Sequence, residues 1–137
     1  GMLPGAMLRN KSLKFICKDI YIKVERDDTP FTNACKVGEV LRVPIAHMDG
    51  NFFADSKISD DIQKNNLIVF KYSNQEGVVD DDVNPNGAWK NTAGVINKTG
   101  NVCGLMPHPE RAMESVLGCE DGRKIFKSII NWYTEMK

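Results

Sequence analysis

A chain of 137 residues that is 42% apolar and 26% charged has the size of one domain and can bury a core. Lys plus Arg and Asp plus Glu stand equal at 18 each, so no net field points to nucleic acid or to an anionic membrane. No apolar run approaches a membrane span, and Gly1-Met-Leu-Pro-Gly-Ala6 lacks the basic and long apolar stretches expected of a secretory signal.

Leu3 to Asn10 reads as a loop between elements rather than the opening of a domain. Phe15 to Glu25 predicts a strand, with Ile16, Ile20, Ile22 and Val24 on one face and Asp19, Lys23 and Glu25 on the other. Arg26 to Gly38 reads as loop. Val40 to His47 alternates loosely and ends at the turn signal Asp49-Gly50. Ser59 to Lys64 predicts a short helix with Ser59 as its N-cap and acids in its first turn. Leu67-Ile-Val-Phe70 is continuously apolar, as in a strand buried on both faces.

Asn74 to Thr92 is a polar loop containing Asn84-Pro-Asn-Gly87. Ala93 to Asn97 and Val102 to Met106 predict two short strands, with Lys98-Thr-Gly-Asn101 as their hairpin turn. Pro109 suits the first position of a helix. The last helix is expected from about Asp121, with an apolar stripe of Ile125, Phe126, Ile129, Ile130, Trp132 and Tyr133. Strands flanked by helices predict an α/β fold with a mixed sheet.

The strongest local signal is Gly104-Leu-Met-Pro-His-Pro-Glu-Arg111. Met106 and His108 both precede prolines, which restricts their backbones to extended conformations. Side chains two apart in extended chain share a side, so Glu110 can reach the His108 imidazole, hold its tautomer and favour its charged form. That is the base-and-orienter half of a nucleophile relay. The alternative is a strand-to-helix corner with a carboxylate at the helix start.

Cys17, Cys35, Cys103 and Cys119 are widely spaced and form no C-x-x-C pair, which reads as reduced thiols in a cytoplasmic protein. Each is expected to be structural: Cys17 within a strand, Cys35 in a loop, Cys103 facing a core, and Cys119 beside acids that raise a thiol pKa. Asp82-Val-Asn-Pro-Asn-Gly87 opens like a calcium loop, but Ala93 falls where a bidentate Glu is required, so it reads as a turn. His47 reads either as lining a site at a strand's end or as a partly buried, hydrogen-bonded histidine. A metal pair with His108 lacks a third ligand.

Gly1-Met-Leu-Pro-Gly-Ala-Met-Leu-Arg-Asn10 resembles a family string G-L-L-P-G-A-L-x-R-N. Phe15 to Glu25, Thr29-Pro-Phe-Thr32, Val43-Pro-Ile-Ala-His47, Asn84-Pro-Asn-Gly87 and Gly100 to Arg111 follow in that family's order. Together they resemble the glutaminase component, subunit I, of phosphoribosylformylglycinamidine synthase, a class I glutamine amidotransferase of de novo purine synthesis. The resemblance covers nearly the whole chain. It implies a flavodoxin-like α/β fold and a Cys-His-Glu triad in which His108 is the histidine and Glu110 its partner. His47 and Asp49 are site-lining candidates. The family's A-H-G-E-G is here Ala46-His-Met-Asp-Gly50, so Asp49 keeps the charge on a shorter arm and Met48 replaces a glycine.

The family's nucleophile lies in a G-x-C-N-G-F-Q motif upstream of L-P-G-A, and none of the four cysteines here occupies it. The expectation is therefore that residues 1–137 are the C-terminal portion of a single amidotransferase domain, incomplete at the N-terminus and inactive alone. The implied substrate is glutamine. The implied partners are a large synthetase subunit, carrying ATP and magnesium, and a small accessory subunit; no metal, cofactor, nucleic acid or membrane is implied for the chain itself. Two competing readings are an inactive binding module for the synthetase subunit and a glutaminase serving another class I amidotransferase. An incomplete sheet predicts a vacant lane beside Leu67–Phe70 or Val102–Met106, and exposed apolar surface around Phe126 and Ile130.

Overall fold

Alternation builds the first long hairpin. Strand β2 (Ile16–Val24) pairs antiparallel with β3 (Val40–His47), from Ile16 opposite His47 to Lys23 opposite Val40. Ile20, Ile22 and Val24 share the inner face with Leu41, Val43 and Ile45, none more than 7% exposed. Strand β5 (Ile68–Ser73) lies on the other side of β2, followed by β6 (Thr92–Ile96) and β7 (Cys103–Leu105), so the sheet order is β3-β2-β5-β6-β7. A separate ribbon joins β1 (Ala6–Leu8) to β4 (Asn51–Phe53). Helices α1 (Ser56–Lys64) and α2 (Arg123–Glu135) complete a computed structural model that describes residues 1–135.

The α/β class holds, but the sheet is not mixed. Every pairing among the described strands is antiparallel. Parallel neighbours need a crossover, usually helical. The one α-helix between strands, α1, joins β4 to β5, which belong to different sheets.

The central run Leu67–Phe70 is buried on both faces as expected, and β5 is also paired along both edges. The 98–101 turn is also where it was expected. Asn97 N–H donates to Val102 O (3.0 Å), and Asn97 Oδ1 accepts from the N–H groups of Asn101 and Val102. Three boundaries differ. Leu3–Asn10 contains β1, too short for alternation to show. Helix α1 starts earlier, because Asp55 rather than Ser59 caps it, with Oδ1 accepting from Ile58 N–H at 2.8 Å. The last helix begins at Arg123, and the Asp121 carboxylate accepts instead from Arg42 N–H at the edge of β3 (2.8 Å).

The sheet is strongly curled, and the chain's connectivity requires it. In a flat sheet β3 and β7 would stand four strand spacings apart, about 19 Å. Only three residue steps, about 11 Å at most, separate Leu105 at the end of β7 from His108. Yet His108 N–H donates to Pro44 O in β3 at 2.8 Å. Register shifts in β5–β6, between Ile68 and Lys71, supply part of the bend. The segment after β7 then runs along the edge of β3, with bonds at Pro44 and Arg42.

Among the described residues β7 pairs only with β6 and forms one edge of the sheet. An apolar cavity of about 280 Å³ lies between Leu3–Met7 and β6–β7. The α2 stripe divides: Ile125 is buried, whereas Ile130 is 63% exposed.

Candidate active site

The Pro107–Arg111 corner is held by backbone before any side chain acts. Met106 N–H donates to Ala93 O in β6 (3.0 Å) and His108 N–H to Pro44 O in the edge strand β3 (2.8 Å), so the corner bridges the two ends of the curled sheet. Pro109 then starts a single 3₁₀ turn, Pro109–Arg111, closed by Ala112 N–H to Pro109 O at 3.0 Å. This turn is shorter than the helix expected from Pro109.

His108 Nδ1 and Glu110 Oε1 lie 2.7 Å apart. The carboxylate reaches back across the 3₁₀ turn, not along extended chain. Among the described residues no group bonds His108 Nε2, and the ring is partly exposed while Nδ1 is held. Arg111 Nε stands 3.7 Å from the same Glu110 oxygen. Helix α2 closes against the back of the corner at Gly122, where a Cβ would lie 2.1 Å from Pro109 O. No local pattern in the sequence marks Gly122 or Pro44 as supports of this corner.

His47 is in a different environment. It continues the inward row of Leu41, Val43 and Ile45 and is 7% exposed. Asn10, fully buried, donates from Nδ2 to Lys14 O (2.7 Å) and His47 O (2.9 Å), which fixes its amide orientation. Its Oδ1 accepts from Gly50 N–H (3.0 Å) and faces His47 Nδ1 at 2.9 Å, so Nδ1 carries a proton. On the other side Asn86 Nδ2 donates to Tyr72 Oη (2.9 Å) and faces His47 Nε2 at 3.4 Å. Asn86 Oδ1 accepts from Ala88 N–H, which fixes that amide too. The imidazole is therefore neutral and Nδ1-protonated. Burial holds its pKa below the ordinary 6.5, and the nearby His108 adds to the depression. Burial likewise raises the Tyr72 phenol.

Of the two readings of His47, the buried, hydrogen-bonded one matches this geometry. Both ring nitrogens face asparagines, which leaves neither for a metal. No group of three or more His, Cys, Asp or Glu side chains placed to hold a metal occurs among the described residues. Asp49 is exposed, with Arg9 Nε 3.8 Å from its carboxylate. Asn84-Pro-Asn-Gly87 forms the expected turn, with Asn84 Oδ1 accepting from the N–H groups of Asn86, Gly87 and Ala88. The sequence showed that turn but not its contact with His47.

Burial pushes the Cys35 thiol up to about 11 and the Cys103 thiol up to about 12, far from an activated thiolate. Cys17 is exposed on β2. Cys119 Sγ donates to Arg42 O at 3.4 Å.

A family model described as the CobB/CobQ-like glutamine amidotransferase domain matches residues 4–133. A relative from Methanocaldococcus jannaschii, named phosphoribosylformylglycinamidine synthase subunit PurQ, is 51% identical over 132 residues, 96% of this chain and 57% of the relative. One of the same name from Salinibacter ruber is 49% identical over 131 residues, 96% of this chain and 56% of the relative. A solved structure described as PurLQS from Thermotoga maritima matches with a TM-score of 0.80 at 46% identity, covering 97% of this chain and 55% of that one. The chain thus spans a little over half the length of the relatives it matches. No helix among the described residues is long and apolar enough to cross a membrane.

Proposed function

The chain belongs to the CobB/CobQ-like glutamine amidotransferase family, and from that premise we propose that it is the C-terminal portion of the glutaminase subunit of phosphoribosylformylglycinamidine synthase. The portion reading is supported by the share of its relatives that it spans and by the lack of a nucleophile motif in residues 1–137. In the longer subunit a cysteine thiolate attacks the side-chain carbonyl of glutamine. His108 takes the thiol proton and passes it to the departing ammonia. It then draws a proton from water, whose oxygen attacks the thioester to release glutamate and restore the thiol. Glu110 orients the ring and stabilises the imidazolium.

The observation that carries this reading is the 2.7 Å contact from His108 Nδ1 to Glu110 Oε1, with Nε2 unbonded among the described residues. A base needs one nitrogen held and the other free. The ammonia passes to a large synthetase subunit, which holds ATP and magnesium, with a small accessory subunit completing the assembly in the cytoplasm. Support for these partners comes from the PurLQS relative alone.

The test is glutamate release from glutamine by the longer subunit assembled with its partners. His108→Ala should abolish most of it, and residues 1–137 alone should show none. Turnover by the isolated chain that disappears on replacing any one of its four cysteines would overturn the reading.

A further inference from the structure

We propose that His47 is a positioning residue for the His108–Glu110 pair: a neutral connector that fixes the end of β3 to which the His108 backbone is bonded. Its functional consequence rests on the glutaminase reading above. The proposal stands on geometry. Pro44 O accepts the His108 N–H, and Pro44 lies three residues before His47 on the same strand. Opposite this end of β3, Cys17, Lys18 and Asp19 of β2 are exposed, so apolar packing holds it on its inner face alone, through Val43 and Ile45. Side-chain bonds at His47 fix its last residue.

Asn10 bonds both the ring and the carbonyl of His47, and it takes Gly50 N–H from the following turn. Asn86 meets the ring from the other side and is itself tied to Tyr72 on β5. The ring packs directly on Gly50, where a Cβ would lie only 2.3 Å from its Cε1. The first fifteen residues, the β3–β4 turn and the Asn84–Gly87 loop thus converge on one imidazole, and that imidazole terminates the strand that backs His108.

Neutrality is part of the design. The titratable neighbours are the buried Tyr72 phenol and His108. The charged side chains of the adjoining segments, Arg9, Lys11, Lys14 and Asp49, are exposed. Among the described residues no carboxylate faces the ring to support a charge. A protonated His47 would lose the Nε2 lone pair that faces Asn86 and would oppose the positive charge His108 must carry during turnover.

The test uses two substitutions in the full-length subunit within its complex. His47→Asn keeps a donor toward Asn10, and His47→Gln keeps an acceptor toward Asn86. Each should lower kcat by about tenfold to a hundredfold through misplacement of the base, with KM for glutamine changed far less. The acid limb of the kcat against pH profile should move to lower pH, because a loosened Glu110 favours the imidazolium less. Simple loss of folded protein would scale kcat without moving that limb. Wild-type kcat and an unmoved limb in both variants would overturn the proposal, as would activity losses that only track the folded fraction. An inactive wild-type complex would instead defeat the glutaminase reading. Should neither variant fold, ring-nitrogen NMR of the wild-type protein decides: a neutral, Nδ1-protonated His47 at pH 7 supports the proposal, and an Nε2 tautomer or an imidazolium overturns it.

Discussion

The chain's two histidines lie near the same end of one strand and are treated oppositely. His47 is 7% exposed with asparagines at both ring nitrogens, while the His108 side chain is 31% exposed with one nitrogen held by a carboxylate and the other unbonded. Burial among neutral amides makes an imidazole a fixed connector. A half-open position beside a carboxylate makes it a proton carrier. Residue type alone therefore does not assign the role; the partners on each nitrogen do.

The largest test of this contrast is His108→Ala in the assembled full-length subunit. It should lower kcat by about 10²- to 10⁴-fold. It should also leave the denaturant midpoint nearly unchanged, because the ring is partly exposed and its backbone bond survives. Glu110→Gln should reduce kcat by less, since the base remains and only its orientation and charge support weaken. Normal turnover by His108→Ala would remove the proton-carrier half of the comparison.

Asn10→Ala tests the connector half. It strips partners from His47 Nδ1–H and Gly50 N–H and from the carbonyls of Lys14 and His47. Leaving buried groups unpaired should cost about 2–4 kcal/mol, read as a lowered midpoint in urea unfolding. A shift under about 0.5 kcal/mol, the range of ordinary surface changes, would mean that water replaces the amide freely. Gly122→Ala should destabilise by about 1–3 kcal/mol, since its Cβ would meet Pro109 O and push α2 off the His108 corner.

The two histidines also differ in how far the sequence announced them. The His108–Glu110 contact is local: two prolines and a spacing of two residues restrict it before any tertiary structure is known. Strand β3 was legible to the residue, Val40 to His47, because its inward row alternates. The surroundings of His47 were not legible. Asn10 and Asn86 reach it across 37 and 39 residues, and only the curl of the sheet brings them together. The all-antiparallel pairing was hidden for the same reason, since the strand and helix composition of this chain fits either sheet type. Strands β1 and β4, three residues each, are too short to show a period of two.

The smallest expected effect is on stability against pH, and its sign follows from burial. Burial holds the His47 pKa below the ordinary 6.5, so the unfolded chain binds this proton more readily than the folded one. The contribution of neutral His47 is full above pH 6.5 and is lost as pH falls from there through the folded value. The slope from one such group cannot exceed about 1.4 kcal/mol per pH unit. Two carboxylates depress stability at lower pH. Burial opposes the charge of Glu39, but Lys124 and Lys36 N–H outweigh it and hold the acid below 4.5; the Arg26 hydrogen bond holds Asp28 below 3.8. Their losses begin near those ordinary values, beneath the upper part of the His47 window. Urea midpoints measured between pH 7 and 5 should therefore fall in the wild-type chain and stay nearly level in His47→Asn, which has nothing to protonate at that position. Equal slopes in the two proteins would show that the buried ring does not resist its proton, and the distinction between connector and carrier would then rest on hydrogen bonds alone.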